Sequence, residues 1–268
     1  MHPIEHLRHL ARVAGADPVF VAREAALSLA EIAALEPAGL VPACRRLVEA
    51  HVESGLVWWL SARVLTADDQ PAACRQVARE LDDDPTDRVL ATHLPDETTA
   101  LVVGWPGLTA SALGRRGDVE VLVVDAEGAG GRLVGRVHER GGEACLVPAS
   151  GVGPAAAVAG LVLVEASAAG PSGVLASPLS LAAAAVAAHA GVPVWAVTGV
   201  GRVLPAPLWD ALLARLDAGG AEPWDRPGEL VPAALIAAVV GPGGCAGVEE
   251  GLSAAACAVA PELLRPVG

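Results

Sequence analysis

The side chains that could do chemistry lie in and around a long stretch of almost uncharged sequence. Between Glu143 and Arg202 the one formally charged residue is Glu165, which follows the apolar run 161–164. A lone carboxylate is costly to bury unless it is paired or lines a wet pocket. We therefore expect Glu165 to act as a general base or to bind backbone amides or an arginine, and both alternatives stay open.

Two further polar residues could work with Glu165. Asp125 closes the apolar run 121–124 and could supply a second carboxylate, although capping a helix is an equal alternative. His93 follows the predicted strand Arg88–Thr92 and could act as an acid or base, or orient a ligand. A histidine at a strand end that is simply hydrogen-bonded is the commoner outcome. These residues form our candidate catalytic set.

Small hydroxyl side chains could contribute to ligand binding. Thr98 and Thr99 are placed by the sequence at the start of a helix near Glu97, where hydroxyls and free amides can donate to an anion. Ser167 lies two residues after Glu165, so in an extended strand both side chains would point to the same side. The alternative is that the threonines are ordinary first-turn residues.

The N-terminal part of the chain has helical periodicity and no convincing strand. Proline in the first turn suits a helix start, and the acidic break at 82–84 followed by Pro85 marks a boundary. We predict a helical domain over residues 1–84 and an α/β domain over 85–268. The predicted N-terminal helices are Pro18–Leu35, Pro42–Glu53 with an extension towards Val64, and Pro71–Leu81.

From Asp87 onwards, short apolar runs alternate with helical stretches. This repetition predicts a Rossmann-like parallel sheet with right-handed crossovers, in which ligands bind at the carboxyl ends of the strands. The fold class expected is therefore α/β, with an N-terminal helical domain followed by a parallel-sheet domain. The predicted strands are Arg88–Thr92, Val119–Asp125, Glu143–Pro148, Leu161–Glu165 and Val192–Thr198. The predicted helices are Glu97–Leu113, Gly131–Glu139, Pro154–Ala159, Pro178–Ala190, Pro207–Leu216 and Pro232–Val240, with Gly251–Ala260 as a less regular candidate.

Composition excludes several classes of function. The formal charge is -13, and the basic residues are all arginine without a basic patch, so we expect no nucleic-acid partner. Glycine and proline interrupt every apolar run before the roughly 20 residues that a membrane helix needs, and no signal peptide is expected. Five cysteines without a C-x-x-C pair fit a reduced cytoplasmic compartment. We expect no metal and no other cofactor.

Several short passages, in order, carry a resemblance to a known family. The chain resembles the family of methylthioribose-1-phosphate isomerase, ribose-1,5-bisphosphate isomerase and the alpha, beta and delta subunits of the exchange factor for eukaryotic initiation factor 2. The matching passages are Val89-Leu90-Ala91-Thr92-His93, the strand 121–125 with Gly131-Arg132-Leu133, Leu161–Ser167, the passage 187–195 around Gly191-Val192-Pro193, and the passage 229–236. The similarity spans roughly residues 18–245.

The resemblance implies more than the residues themselves establish. It implies a helical N-terminal domain, a Rossmann-like C-terminal domain, a homodimer formed through the latter, and a sugar-phosphate or nucleotide pocket at the strand ends. Arg132 matches the Gly-Arg helix start, and Arg202 matches a family lysine after the last main strand. Both are therefore candidates for binding an anionic ligand, and an ion pair at the surface is the alternative for Arg202.

The departures from the family pattern bear on the reaction. A cysteine follows the Thr-His of the isomerases, and the matching residue here is Leu94. The aspartate of their Gly-Ala-Asp is matched by Ser167, and the phosphate-binding arginine after the second strand is replaced near Ala126-Glu127. Leucine has no ionisable group and serine is no carboxylic acid, so the isomerase chemistry is not expected.

Three functions remain open from the sequence. The first is a divergent family member that binds a small polar metabolite, such as a sugar phosphate or nucleotide, in a regulatory or accessory role. The second is an enzyme of altered chemistry that uses Glu165 with His93 or Asp125 for proton transfer. The third is a purely structural subunit. The first is favoured by the retained scaffold, by Arg132 and Arg202, and by the loss of the cysteine and aspartate.

Overall fold

The computed structural model describes residues 17–126, 128, 130–220 and 222–265. Contacts divide these residues into two units, which are described separately. The first unit comprises 17–84, 200–220 and 253–265, and the second comprises 85–199 and 222–252 within the described residues. Two later segments of the chain thus belong with the N-terminal helices.

The helices and strands of both units follow in chain order. The α-helices are α1 (Pro18–Leu35), α2 (Leu40–Ala50), α3 (Gly55–Leu65), α4 (Gln70–Asp82), α5 (Thr86–His93), α6 (Gly107–Leu113), α7 (Gly130–Glu139), α8 (Val152–Val158), α9 (Ser180–Ala190), α10 (Ala206–Ala218) and α11 (Val248–Ser253). The strands are β1 (Thr99–Val103), β2 (Glu120–Asp125), β3 (Ala144–Pro148), β4 (Leu161–Glu165), β5 (Ala168–Gly170), β6 (Gly173–Ala176), β7 (Val194–Val197), β8 (Glu229–Pro232), β9 (Ala238–Gly241) and β10 (Gly244–Ala246).

The first unit is built from α1 to α4 and α10. Helix α1 begins with a proline after the cap Asp17, whose carboxylate accepts the Val19 N–H at 2.8 Å. Helix α4 begins in the same way after Asp69, which accepts the Ala72 N–H at 2.9 Å. Each cap satisfies a backbone donor that has no partner within its helix. Capping therefore determines where these helices start.

The second unit contains a seven-stranded sheet in the order β10-β9-β7-β4-β1-β2-β3. All neighbouring pairs are parallel except β9 and β10. A separate three-stranded antiparallel sheet has the order β5-β6-β8. The central strands β1 and β4 are buried along most of their length, which explains their continuous apolar sequences. The predicted α/β class with a mostly parallel sheet is confirmed.

Several predicted elements are wrong in type. Residues 88–92 are helical within α5, and the predicted helix Glu97–Leu113 contains strand β1 before α6 begins. The predicted helix Pro232–Val240 is instead the end of β8, a 3-10 turn at Ala233–Leu235 and strand β9. Short apolar runs fit a buried strand or a helix equally well, and strand pairing overrides local propensity.

Other predicted elements differ in their bounds. Helix α2 ends at Ala50 and α3 begins at Gly55, so Pro42–Glu53 does not run on as one helix. The candidate Gly251–Ala260 is helical only up to Ser253. Among the described residues, no helix is both long and apolar enough to cross a membrane.

Candidate functional site

The carboxyl ends of β4, β1 and β2 are neighbours at one edge of the large sheet. Val102 of β1 is in register with Leu163, and Val103 is in register with Val124. Continuing both registers places Glu165 and Asp125 level with Gly104, one on each side of it. Because neighbouring strands are about 4.8 Å apart, the two acidic residues are separated by roughly 10 Å along the edge.

Glu165 is tied to the helix that follows the neighbouring strand. Its Oε2 accepts the Thr109 N–H at 2.9 Å and the Thr109 hydroxyl at 3.0 Å. Thr109 lies in the first turn of α6 and is fully buried. Glu165 therefore satisfies a free backbone donor of α6, as a capping residue does, from another strand of the sheet.

Asp125 makes an equivalent contact on the other side of β1. Its Oδ1 accepts the N–H of Gly130, the first residue of α7, at 3.1 Å. A carboxylate at this position also complements the positive end of the helix dipole. The alternative role considered for Asp125, helix capping, is thus what its observed hydrogen bond provides.

An aromatic and two basic side chains lie at the same edge. Trp105 follows β1 directly after Gly104, whose φ is +68°, and is 38% exposed. The guanidinium carbons of Arg132 and Arg136 lie 5.7 and 5.9 Å from the centre of the Trp105 ring. The two arginines are four residues apart and so share one face of α7. Neither forms an ion pair with a described residue.

Ser167 lies beyond the end of β4. Its N–H donates to the Leu175 carbonyl at 2.8 Å, and its hydroxyl donates to the same oxygen at 3.3 Å. Because β4 ends at Glu165 and β5 begins at Ala168, Ser167 sits in the connection. The extended-strand argument for its side-chain direction therefore does not apply, and its contacts join β5 to β6.

His93, Thr98 and Thr99 lie at the opposite edge of the sheet. His93 ends helix α5, and its Nδ1 is 2.8 Å from the Val89 carbonyl oxygen. Thr99 begins β1, and its hydroxyl donates to Glu120 at 3.0 Å. A five-residue strand, roughly 13 Å long, separates this amino edge from the carboxyl edge.

These placements correct two expectations. His93 is not at the end of a strand and is not brought together with Glu165 or Asp125. Thr98 and Thr99 do not start a helix, because the chain enters β1 at that point. The threonines therefore lack the free helical amides on which their proposed anion binding depended.

The amino edge is occupied by a structural cluster around Arg116. Its Nη1 donates to the carbonyls of Ala91 and Leu94 at 2.9 and 2.7 Å, and its Nη2 donates to Asp96 at 2.9 Å. Asp118 receives two further bonds from the same guanidinium. The Arg116 hydrogen bond, helped by the Glu97 N–H, holds the pKa of Asp118 well below its usual range. This cluster ties the end of α5 to the loop before β2.

The residue matched to the isomerase cysteine is also not at the carboxyl edge. Leu94 is 3% exposed and packs in the core cluster with Leu90 and Ala100, away from the carboxyl edge. The residues that follow the first strand of the sheet are Gly104 and Trp105. Since the sequence has no cysteine between Cys74 and Cys145, neither position 94 nor the end of β1 carries a thiol.

Two further residues considered from the sequence are not part of the described second unit. Arg202 is 7% exposed and belongs to the first unit, and Glu127 lies outside the described residues. Among the residues that the structure describes, no group of three or more His, Cys, Asp or Glu side chains could hold a metal ion.

Sequence reasoning missed Thr109, Trp105 and Arg136. A tryptophan directly after a Gly at a strand end is a usable signal, as is an arginine four residues after Arg132 on a helix. The Trp105 signal was hidden because residues 97–113 were assigned to one helix, whereas Arg136 lay in the correctly predicted helix Gly131–Glu139 and was simply not considered. The partner of Glu165 could not be found from sequence, since Thr109 is 56 residues away.

Comparisons with solved structures place this geometry in a known fold. The translation initiation factor eIF-2B of Pyrococcus horikoshii OT3 is 12% identical, with a TM-score of 0.76 over 91% of this chain and 96% of that one. The eIF2B beta subunit of Chaetomium thermophilum is 15% identical, with a TM-score of 0.70 over 91% of this chain and 86% of that one.

A third similar structure is a chain of the tetrameric eIF2B-beta2-delta2 complex of C. thermophilum. It is 15% identical, with a TM-score of 0.73 over 93% of this chain and 92% of that one. No family model matches the sequence, and no curated protein matches it either. The resemblance inferred from sequence is therefore confirmed at the level of the fold: this chain has the fold of the eIF2B subunits.

Proposed function

We propose that the chain is a non-isomerase protein of the eIF2B-subunit fold that binds a small phosphate-bearing metabolite in a regulatory or accessory role. The observation that carries the proposal is the group Trp105, Arg132 and Arg136 at the carboxyl edge of the sheet. Two guanidiniums without an acidic partner among the described residues suit an anion, and the partly exposed indole suits a flat ring or sugar face. A sugar phosphate or nucleotide combines both features.

The acidic residues at the same edge weigh against isomerase chemistry. Glu165 already accepts two hydrogen bonds from Thr109, and Asp125 accepts the Gly130 N–H. A general base needs a lone pair aimed at the substrate proton, and in each of these carboxylates one oxygen is instead bonded to a helix start. With no cysteine in the passage after β1, the residues support binding better than proton transfer.

Self-association is the second part of the proposal. Helix α8 has only apolar side chains, and α9 has only Ser180 and His189 besides apolar ones, yet each helix has exposed positions. Val158 is 76% exposed, and Leu181 and Leu146 of the edge strand β3 are exposed as well. A helix that is apolar all round is normally buried, so we propose that a second copy of this chain covers this face. We expect this homodimer to work in the cytoplasm, where the cysteines would stay reduced.

Ligand binding is tested with ribose 5-phosphate and AMP as probes, by calorimetry and by the shift in the thermal midpoint. We expect saturable binding that the double change Arg132→Gln and Arg136→Gln weakens at least tenfold, because two charge-assisted hydrogen bonds are lost, each about 1.5–3 kcal/mol. Trp105→Ala should weaken AMP binding more than binding of inorganic phosphate. These variants separate the phosphate and ring contacts.

Matched controls are available in the chain. Arg140→Gln removes an exposed arginine just beyond α7, and Trp224→Ala removes a tryptophan that is 79% exposed elsewhere in the second unit. Neither control should change binding. The proposal fails if neither probe binds, or if the test and control variants bind equally well.

A further inference from the structure

A surface pocket in the first unit, called the hollow below, has no role in the proposed function. Its volume is about 260 Å³, and it is lined by Arg45, Pro261, Glu262 and Arg265. One water needs only about 10–15 Å³ of such volume, so the hollow can admit a small solute. The lining residues come from α2 and from the segment around the 3-10 turn Pro261–Leu263, all within the first unit.

Of the two arginines in the lining, Arg45 is held in place by a hydrogen bond to a neutral carbonyl. The Nε of Arg45 donates to the Glu262 carbonyl at 2.8 Å, which fixes the guanidinium beside the wall of the hollow. Neither Arg45 nor Arg265 forms an ion pair with a described residue. The terminal nitrogens of a guanidinium form a planar fork that matches two oxygens of one oxyanion.

A third arginine supports the same wall from α10. The Nη2 of Arg215 donates to the carbonyls of Leu263 and Arg265 at 2.6 and 3.0 Å. Its guanidinium carbon lies 4.6 Å from the centre of the buried Trp58 ring. Arg215 thus places a positive charge directly behind the segment that lines the hollow.

The guanidinium of Arg215 is only partly hydrogen-bonded. Among the described residues no acceptor reaches its buried Nη1, and buried polar groups seldom lack a partner. Burial lowers the pKa of Arg215, Glu49 opposes this effect, and the charge of Arg45 lowers the pKa further. The positive charge of Arg45 therefore acts on Arg215, and an anion bound at Arg45 would relieve that repulsion.

We propose that this hollow binds a phosphate group, held by Arg45 and Arg265 with Arg215 behind the wall. Glu262 is the acidic residue of the lining and Glu49 acts on Arg215, so the three guanidiniums exceed these two carboxylates by one positive charge. The volume leaves room for a small organic group on the phosphate. Free phosphate and a phosphomonoester share this chemistry and are separated by the experiment.

The test titrates inorganic phosphate, and in a second arm glycerol 3-phosphate, into the full chain at constant ionic strength. Calorimetry should show saturable binding of at least one of them, and the tighter one identifies the source of the phosphate group. Arg265→Gln should weaken binding about tenfold, the loss expected for one charge-assisted hydrogen bond. Arg45→Gln should weaken it further if the chain stays folded, and Arg45→Lys should restore part of the affinity.

Arg46→Gln is the matched control, since Arg46 is exposed on the same helix and carries the same charge. It should bind phosphate as the unchanged protein does. The variant with Arg132→Gln and Arg136→Gln should also retain this binding, which separates the hollow from the site proposed at the sheet edge. The inference is overturned if neither probe shows saturable binding, or if Arg265→Gln and Arg46→Gln have the same effect.

Discussion

Glu165 illustrates how one residue can look catalytic and still be explained by its local contacts. A single carboxylate oxygen accepts both the amide and the hydroxyl of Thr109 and so fastens α6 to the end of β4. The lone charge in an apolar stretch was a correct signal that Glu165 has a specific partner. The identity of that partner depends on the order of the strands, which a single sequence does not specify.

Removing this carboxylate should destabilise the chain. We expect Glu165→Ala to lower the free energy of unfolding by about 1–2 kcal/mol, as loss of a helix cap does, and Glu165→Gln to cost less because its amide oxygen still accepts. Urea denaturation measures both values. A double-mutant cycle with Thr109→Val should give a coupling energy of about 1 kcal/mol. Full stability of Glu165→Ala would contradict the capping role.

Asp118 should make stability depend on acid pH. Because Arg116 holds the pKa of Asp118 below its usual value near 3.9, the pair stabilises the folded chain above about pH 4. The contribution is lost as the pH falls towards the lower pKa of the folded state. We expect the thermal midpoint of Asp118→Asn to fall less steeply between pH 5 and pH 2 than that of the unchanged protein. Parallel curves would contradict this account.

The elements differ in how well a sequence predicts them. Helices with proline starts and acidic caps, such as α1 and α4, are specified by local interactions and were predicted nearly to the residue. Strand β4 is bounded by glycine and a charge and was also predicted correctly. The sequence predicted a strand where α5 lies and a helix where β1 lies, because Val89-Leu90-Ala91 and Ala100-Leu101-Val102 are equally apolar. Only pairing with β2 and β4 makes the second run the strand.

Helix α9 should depend on the glycine that ends it. Gly191 has a φ of +76°, and a β-carbon there would meet nothing within 4 Å, so backbone strain alone decides the effect. We expect Gly191→Ala to lower the free energy of unfolding by about 1–2 kcal/mol. As a control, Gly135→Ala lies inside α7 with open space around it and should stabilise the chain by about 0.5–1 kcal/mol. Equal effects in urea denaturation would contradict the assignment of Gly191 as a left-handed cap.

At the scale of the whole molecule, the near absence of charge between residues 144 and 201, where Glu165 is the one charged residue, has two consequences. The apolar residues of this stretch form the buried strands β4 and β7. They also leave α8 and α9 with an exposed apolar face. The sequence predicted the first consequence from the apolar runs. It could not predict the second, because both helices are almost entirely apolar and their periodicity does not show which face is buried.

A charge on this face should prevent self-association. Val158→Glu places a carboxylate at a position that is 76% exposed, so the folded monomer tolerates it, while burial between two copies would be costly. We expect sedimentation to show a dimer for the unchanged chain and a monomer for this variant. Leu35→Glu is the matched control, because Leu35 is 80% exposed in the first unit and should leave the dimer intact. A dimer in both variants would place the interface elsewhere.

The central claim is that the carboxyl edge of the sheet binds a phosphate-bearing metabolite and does not convert it. Phosphorus NMR of ribose 5-phosphate with the full chain tests binding and conversion in one sample. We predict a broadened resonance that sharpens when Arg132→Gln and Arg136→Gln are introduced together, and no new resonance over time. A product resonance, or a linewidth that is the same with and without the two arginines, would contradict the account.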